Sequence, residues 1–310
     1  MKLYKPKFWD TKKSFLSTIL LPLSLVFAFA IFLKKRFVKK LEFEIPIICV
    51  GNIYLGGTGK TPTSIFIAKE LKLKGKNPVI VRKYYKEHID EYKLITNNFK
   101  NPIIKKNRVK GVEEAIYKNY DSVILDDGFQ DYQIQKKLNI LCFNSNQLTG
   151  NSLLFPSGPL REDLSSLKNA QIIIINGEKN DEFEKKIYDI KKNIKIFYSK
   201  YSAINIDEFR DKKLFAVAGI GNPENFFQIL KKNNLDVKRE FKFPDHYNYS
   251  KSEIDKIIEE AKRENCQIVM TEKDFLRIED FNLDMIKCLK VKLDVKDKEK
   301  FIENIIKGIK

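Results

Sequence analysis

The 310-residue chain is poor in the residues that build metal and disulfide frameworks. Its four cysteines (Cys49, Cys142, Cys266, Cys288) are scattered, and the nearest two, Cys266 and Cys288, stand 22 positions apart. That excludes a CxxC zinc site and gives no disulfide framework; reduced, buried thiols are expected. The only two histidines, His88 and His246, leave no His-rich metal centre. With 13 glycines and no repeating period, collagen, coiled-coil and solenoid architectures are excluded as well. What is present is an ordinary globular mixture, 43% hydrophobic and 32% charged, in a length that suggests about two domains of roughly 100–200 residues each.

Acidic residues are scarcest at the start. Residues 1–42 hold ten Lys/Arg against two Asp/Glu, or +8 of a net charge of +17, and the other 268 residues share +9. A Lys-, Asn- and Ile-rich composition explains a diffuse excess but not this clustering. No basic helix, RNA-binding motif or helix-turn-helix pattern accompanies the charge, so nucleic acid is not expected; an anionic membrane surface or an acidic substrate fits better.

Phe15–Leu33 runs 19 residues without a charge, between Lys12-Lys13 and Lys34-Lys35-Arg36. That is the lower limit for crossing a bilayer core of about 30 Å. A cleaved signal peptide, a span, an interfacial helix or helical hairpin, and a buried core helix compete. Basic residues on both flanks favour a segment dipping into one leaflet, since a span would show charge asymmetry. Tyr4, Phe8 and Trp9 suit an interfacial anchor.

Beyond the basic stretch, continuous apolar runs of strand length alternate with helical patterns. Strands are expected at Ile45–Val50, Pro78–Val81, Ser122–Leu125, Asn139–Phe143 and Gln171–Ile175, and helices at Thr61–Gly75 and Asn107–Tyr120. This is the pattern of an α/β fold, a parallel sheet covered by helices on both faces. A second, smaller α/β unit begins near Lys212, with strands Leu214–Ala218, Gln267–Thr271 and Val291–Val295 and helices Pro223–Lys232, Ser250–Asn265 and Lys298–Ile309. Lys195–Asn205 reads as an extended linker strand between the units. The expected domains are a membrane-associated segment at 1–40, a nucleotide-binding domain at 41–205 and a C-terminal domain at 206–310.

Tyr54-Leu55-Gly56-Gly57-Thr58-Gly59-Lys60-Thr61 follows the first strand and opens the first helix of the sheet. A loop there aims backbone N–H groups and the positive helix end at phosphate oxygens. Lys60 can reach the β- and γ-phosphates, and the Thr61 hydroxyl can ligate Mg²⁺. Tyr54 stands where the GxxxxGKT pattern has its first glycine, while the GGTGKT part is intact. The acidic partner is expected at the end of a neighbouring strand, where Ser122-Val123-Ile124-Leu125-Asp126-Asp127 supplies Asp126 and Asp127.

These motifs carry a resemblance. Val50-Gly51-Asn52 leading into GGTGKTP, then ILDDGFQ (124–130), PSGPLRE (156–162), FPDHYNY (243–249) and MTEKD (270–274), in that order, resemble the tetraacyldisaccharide 4′-kinases, the lipid A 4′-kinases of Gram-negative bacteria. The resemblance covers nearly the whole chain. It implies a P-loop fold, ATP with Mg²⁺, and transfer of the γ-phosphate to the 4′-hydroxyl of a tetraacylated glucosamine disaccharide 1-phosphate at the cytoplasmic face of the inner membrane, with no obligate protein partner. It makes Glu162 a metal-site candidate, Arg161 a phosphate contact and His246 functional through a DHxxY motif. The family's Gly-Asp-Glu-Pro motif has its nearest match in Ile89-Asp90-Glu91-Tyr92, across a shortened segment, so Asp90 stands as the catalytic aspartate. Lys273 is open between a site role and a solvated one. The second domain is expected to supply His246 and close over the site. The rival from another class is a membrane-tethered P-loop NTPase acting as a nucleotide switch, against which the absence of an Asn-Lys-x-Asp pattern weighs; a basic membrane adaptor with a vestigial loop would need neither Asp126 nor His246.

Overall fold

The computed structural model describes residues 5–279, 281 and 284–310; Tyr4 lies outside them. In chain order its main elements are α1 (Phe15–Phe37), β1 (Ile47–Gly51), α2 (Lys60–Leu73), β2 (Pro78–Lys83), α3 (Ile89–Asn98), β3 (Ile103–Lys105), α4 (Arg108–Tyr117), β4 (Ser122–Asp126), β5 (Leu138–Asn144), β6 (Ile172–Asn176), α5 (Asp181–Ile190), β7 (Lys195–Ala203), β8 (Lys213–Ala218), α6 (Pro223–Lys232), β9 (Asp236–Lys242), α7 (Lys251–Arg263), β10 (Gln267–Thr271), α8 (Glu272–Ile278), β11 (Ile286–Leu289), β12 (Val291–Val295) and α9 (Lys298–Ile309).

The chain divides into two compact units. The larger comprises Lys5–Tyr84, Phe99–Lys200 and Asp294–Lys310; the smaller comprises Tyr85–Asn98 and Tyr201–Leu293, the division passing through β7 and β12. Both units are thus discontinuous, unlike the unbroken 41–205 and 206–310 expected from the sequence. The physical reasons are two. Helix α3 packs on α8 of the smaller unit, and α9 returns to the larger unit, where Phe301 meets Phe66 and Phe197 at 6.2 and 5.0 Å. Lys195–Ala203 is no linker either, because its first half pairs in parallel with β6 from Lys195 to Ser199.

The larger unit is built on an eight-stranded sheet in the order β12-β7-β6-β5-β1-β4-β2-β3. The registers from β3 to β7 are all parallel, and the central strands IICVG, SVILD and IIIIN are buried at every position. Apolar side chains on both faces are what a helix-covered parallel sheet requires. Chain order reverses at β1: β2, β3 and β4 lie to one side of it, β5, β6, β7 and β12 to the other. Ligands of open α/β sheets bind outside the carboxyl ends of strands at such a reversal.

Helix α1 belongs to the larger unit, and it inverts the usual amphipathic rule. Its only buried residues are Ser17 and Ser24, seven apart and therefore on one face. Ser24 Oγ donates to Leu154 O at 2.9 Å and accepts from Ser157 N at 3.0 Å. Ser17 Oγ accepts from Asn151 Nδ2 at 3.1 Å. Phe15, Leu16, Ile19, Leu25, Val26 and Phe29 are exposed. This rules out both the buried core helix and the helical hairpin, since α1 is one continuous helix with its apolar side chains outward. Trp9 is not an interfacial anchor: it is buried, donates to Pro156 O at 3.0 Å and meets the Phe155 ring edge-on at 6.2 Å.

The smaller unit carries a four-stranded parallel sheet, β11-β10-β8-β9. Helix α6 begins with Pro223 in its first turn, and α7 with a capping box in which Ser250 and Glu253 satisfy each other's backbone N–H groups. Edge strand β9 (DVKREFK) is largely exposed and charged, which hides it from a search for apolar runs.

Candidate active site

In the larger unit, β1 feeds the loop into α2 through Gly59, whose φ of +88° at the N-cap is a conformation a side chain would strain. The loop is tied down on several sides. Leu55 N donates to Pro159 O at 2.8 Å, and Tyr54 is fully buried and bridges to Leu160, so the residue that departs from the glycine pattern serves as a packed wall. Asn52 Nδ2 donates to Thr58 Oγ1 at 2.9 Å and Asn176 Nδ2 to Thr58 O at 2.5 Å. Gly56 and Gly57 lie between these fixed points.

The acidic partner lies where the sequence places it. Asp126, at the end of β4, is fully buried. It accepts from Thr61 Oγ1 at 3.1 Å and from Ser64 Oγ at 2.9 Å, and pairs with Arg82. Arg82 also donates to Thr61 Oγ1 at 3.1 Å. Asp127 follows with a left-handed φ of +53°, a backbone state disfavoured for a residue with a side chain. Its carboxylate accepts from Arg161 at 3.1 Å and lies 3.8 Å from the Lys60 ammonium. Burial alone would raise its pKa, but Lys60, Arg161, Arg82 and Arg108 together hold it well below the usual carboxylate range. Burial pushes the Lys60 pKa down, partly offset by Asp127. Glu162 pairs with Lys35 of α1 and accepts from Gln130 Nε2 at 3.1 Å.

In the smaller unit, Asp90 and Glu91 sit in the first turn of α3, where anionic side chains complement the helix dipole. Asp90 is buried, and His246 Nδ1 lies 3.3 Å from both its oxygens. His246 has a left-handed φ of +54°, with its backbone N–H donating to Asp245 Oδ1 at 3.0 Å. Arg277 of α8 donates to Asp90 Oδ2 at 2.6 Å, and Lys273 pairs with Glu91. Burial would raise the Asp90 pKa; the His246 hydrogen bond and the charges of Lys273 and Arg277 overcome it and keep the carboxyl well below its ordinary range. The His88 ring stacks on His246 at 4.4 Å, nearly parallel, with Nδ1 3.4 Å from Glu91. Among the described residues, His88, Glu91 and His246 form the only group of three His, Cys, Asp or Glu ligand atoms within 4.8 Å of one another. Within the trio the two rings stack, and Glu91 is paired with Lys273.

A family model described as tetraacyldisaccharide-1-P 4′-kinase matches residues 16–102 and 88–310. The chain belongs to this family. A tetraacyldisaccharide 4′-kinase of Pelagibacter ubique is 41% identical over 313 residues, covering 99% of this chain and 98% of the relative. One from Rickettsia akari is 32% identical over 324 residues, covering 99% and 98%. The crystal structure of LpxK from Aquifex aeolicus in complex with ATP has a TM-score of 0.72 and 25% identity, over 95% of this chain and all of that one.

Of the residues singled out for this kinase family from sequence, the structure joins Lys60, Thr61, Asp126 and Asp127 in one network, and Asp90 and His246 in another. Asp90 and His246 fall in the same unit because α3 joins the smaller one. Lys273 is partnered by Glu91 and is not a free surface lysine. Sequence reasoning misses Arg82, Arg108 and Arg277. For Arg82 a signal exists: it sits near the end of an apolar strand and pairs in register with Asp126. Arg108, which donates to Asp127 O at 2.6 Å, and Arg277 have no local signal.

Proposed function

We propose that this chain transfers the γ-phosphate of ATP to the 4′-hydroxyl of a tetraacylated glucosamine disaccharide 1-phosphate, giving lipid IVA in lipid A biosynthesis. The observation that carries the reading is the Thr61 hydroxyl seated on the Asp126 carboxylate at the mouth of a strand–loop–helix phosphate site, in a member of a family of such kinases.

The loop from Tyr54 to Thr61 holds the nucleotide phosphates, and Lys60 neutralises charge growing on the γ-phosphoryl oxygens. Thr61 and Asp126 offer hard oxygen ligands that fit Mg²⁺, which supplies further neutralisation of phosphate charge when bound. Arg82 pairs with Asp126 and donates to the Thr61 hydroxyl, holding the two oxygens in place. Asp127 and Glu162, engaged by Arg161 and by Lys35 and Gln130, are ligands only if they exchange those partners. Asp90 and His246 form a unit that takes the acceptor's proton. The Asp90 carboxylate is ionised across the working range but is a weak base for the same reason, and the imbalance is met by the imidazole it faces.

Helix α1 supports residence at a lipid surface: an exposed apolar helix, bordered by Lys12, Lys13, Lys34, Lys35 and Arg36, lies in the interface with its basic ends at anionic headgroups. The need for ATP is the argument for a surface on the cytoplasmic side. Acyl chains would then remain in the leaflet while the sugar is phosphorylated.

The test is to incubate purified protein with labelled ATP and tetraacyl disaccharide 1-phosphate. Label in the lipid supports the reading. ATP hydrolysis indifferent to lipid overturns it in favour of a nucleotide switch.

A further inference from the structure

Arg277 is the least expected member of the Asp90 network and its most firmly fixed. Its guanidinium is forked between two carboxylates and a carbonyl: Nη2 donates to Asp90 Oδ2 at 2.6 Å, and Nη1 to Asp274 Oδ1 at 2.6 Å and Gly219 O at 2.7 Å. The side chains of Arg277, Asp90 and Asp274 are 8%, 1% and 0% exposed, so water screens little. Asp274 is itself pinned. It accepts from Gly219 N at 3.0 Å, Thr271 Oγ1 at 2.6 Å and Tyr249 OH at 3.0 Å. A Cβ at Gly219 would come within 2.7 Å of the Tyr249 hydroxyl and 3.0 Å of Asp274 Oδ1, so a side chain there would displace these two groups. The ends of β8 and β10, the Tyr249 segment and α8 therefore converge on one guanidinium, whose free fork grips α3.

We infer that Arg277 is a positioning residue for the phosphoryl transfer, fixing the Asp90 carboxylate square to His246 and keeping it ionised by a charge that never titrates. The inference rests on the kinase reading above. One guanidinium nitrogen donates to Asp90 while the other is held by Asp274 and Gly219, so the planar group fixes the direction of its bond to Asp90, which a point charge does not. The other charged groups around Asp90 are His246, Lys273 with its partner Glu91, and His88 behind the imidazole. Lys273 pairs with Glu91 and adds its charge to the Asp90 surroundings, while Arg277 donates directly to Asp90 Oδ2 at 2.6 Å. Against burial, the Asp90 carboxyl is held below its ordinary range by the His246 hydrogen bond and the Lys273 charge first, with the Arg277 charge adding to them.

The experiment compares the wild type with Arg277→Met and Arg277→Lys in lipid phosphorylation across pH, with ATP binding and thermal melting measured alongside. Removing a fixed positive charge raises the pKa of every group near it. In Arg277→Met the acid limb of the kcat profile should therefore move to higher pH by about one unit or more, with kcat at neutral pH reduced on the order of 10–100-fold. Arg277→Lys keeps the charge and loses the fork, so its limb should lie near that of the wild type while kcat stays reduced. ATP affinity should be unchanged in both. An acid limb unmoved in a folded Arg277→Met protein overturns the inference, leaving a structural pin. If Arg277→Met does not fold, an Arg277→Lys enzyme with wild-type kcat overturns it instead, because the fork is then dispensable. Absence of lipid phosphorylation in the wild type would overturn the kinase reading, and is distinct from either result.

Discussion

Asp126 and Asp90 are both buried carboxylates facing an arginine, yet they are surrounded by different chemistry. Around Asp126 the other partners are hydroxyls, Thr61 and Ser64, and the arginine comes from the adjacent strand in register. Around Asp90 the other partner is an imidazole, and the arginine comes from 187 positions away. Hydroxyls and a carboxylate make a set of hard oxygens that can accept a cation in place of a guanidinium. An imidazole and a carboxylate make a set that can pass a proton. Under the proposed function, one unit of the molecule serves phosphate charge and the other the acceptor's proton.

The sharpest way to break that division is Lys60→Ala. If the larger unit's task is charge neutralisation in the transition state, losing this ammonium should lower turnover by about 10³–10⁵-fold, the range seen for a transition-state cation in phosphoryl transfer. The fold should survive, since Lys60 lies at a loop–helix junction. Near-normal turnover in a steady-state assay would end the phosphate-loop assignment.

Next in size, Asp90→Ala and His246→Ala should each lower kcat by about 10²–10⁴-fold, the usual cost of a lost general base, with ATP affinity intact by calorimetry. Because the two side chains act as a unit, the double variant should lose little more than the worse single one. Multiplicative losses would show that the smaller unit holds two independent groups.

A smaller effect is expected away from both networks. Ser24→Ala removes the partner of Leu154 O and Ser157 N, and leaving buried polar groups unmade costs about 1–3 kcal/mol. The melting temperature should drop while kcat in detergent stays constant. An unchanged melt would mean that α1 is not docked through its serines.

The least effect is confined to acid pH. Asp90 and Asp127 both have depressed pKa values in the folded state. Their stabilisation is therefore fully present above the unfolded carboxylate value of about 3.9 and is lost as pH falls toward the folded values. Thermal melts should be flat in this respect from neutral pH to about 5 and decline below about 4. Asp90→Asn should soften that decline; identical acid profiles would show that Asp90 contributes nothing to it.

The two networks also differ in how far they can be read from the chain. Lys60, Thr61 and Asp126 are legible because their geometry is set by one βαβ unit, whose apolar strands and glycine loop leave a local pattern. Asp90 and His246 are legible only through resemblance, since each lies in a short polar stretch without periodicity. Arg277 has no signal at all. It is one of 58 Lys/Arg, on a helix of seven residues, and only tertiary contact separates it from a solvated arginine. The outward-facing α1 was open among several readings because hydrophobicity alone does not say whether a helix meets protein or lipid. Its serines decide it, and they act by hydrogen bonds to residues more than 120 positions away.

The insertion of α3 among residues 201–293 has a consequence for synthesis. Asp90 leaves the ribosome 156 residues before His246 and 187 before Arg277. Until then α3 carries Asp90 and Glu91 without the counter-charges that make their burial tolerable, and closing so long a loop slows folding. The larger sheet waits as well, for β12 and α9. Both units thus reach their full set of elements only late in translation.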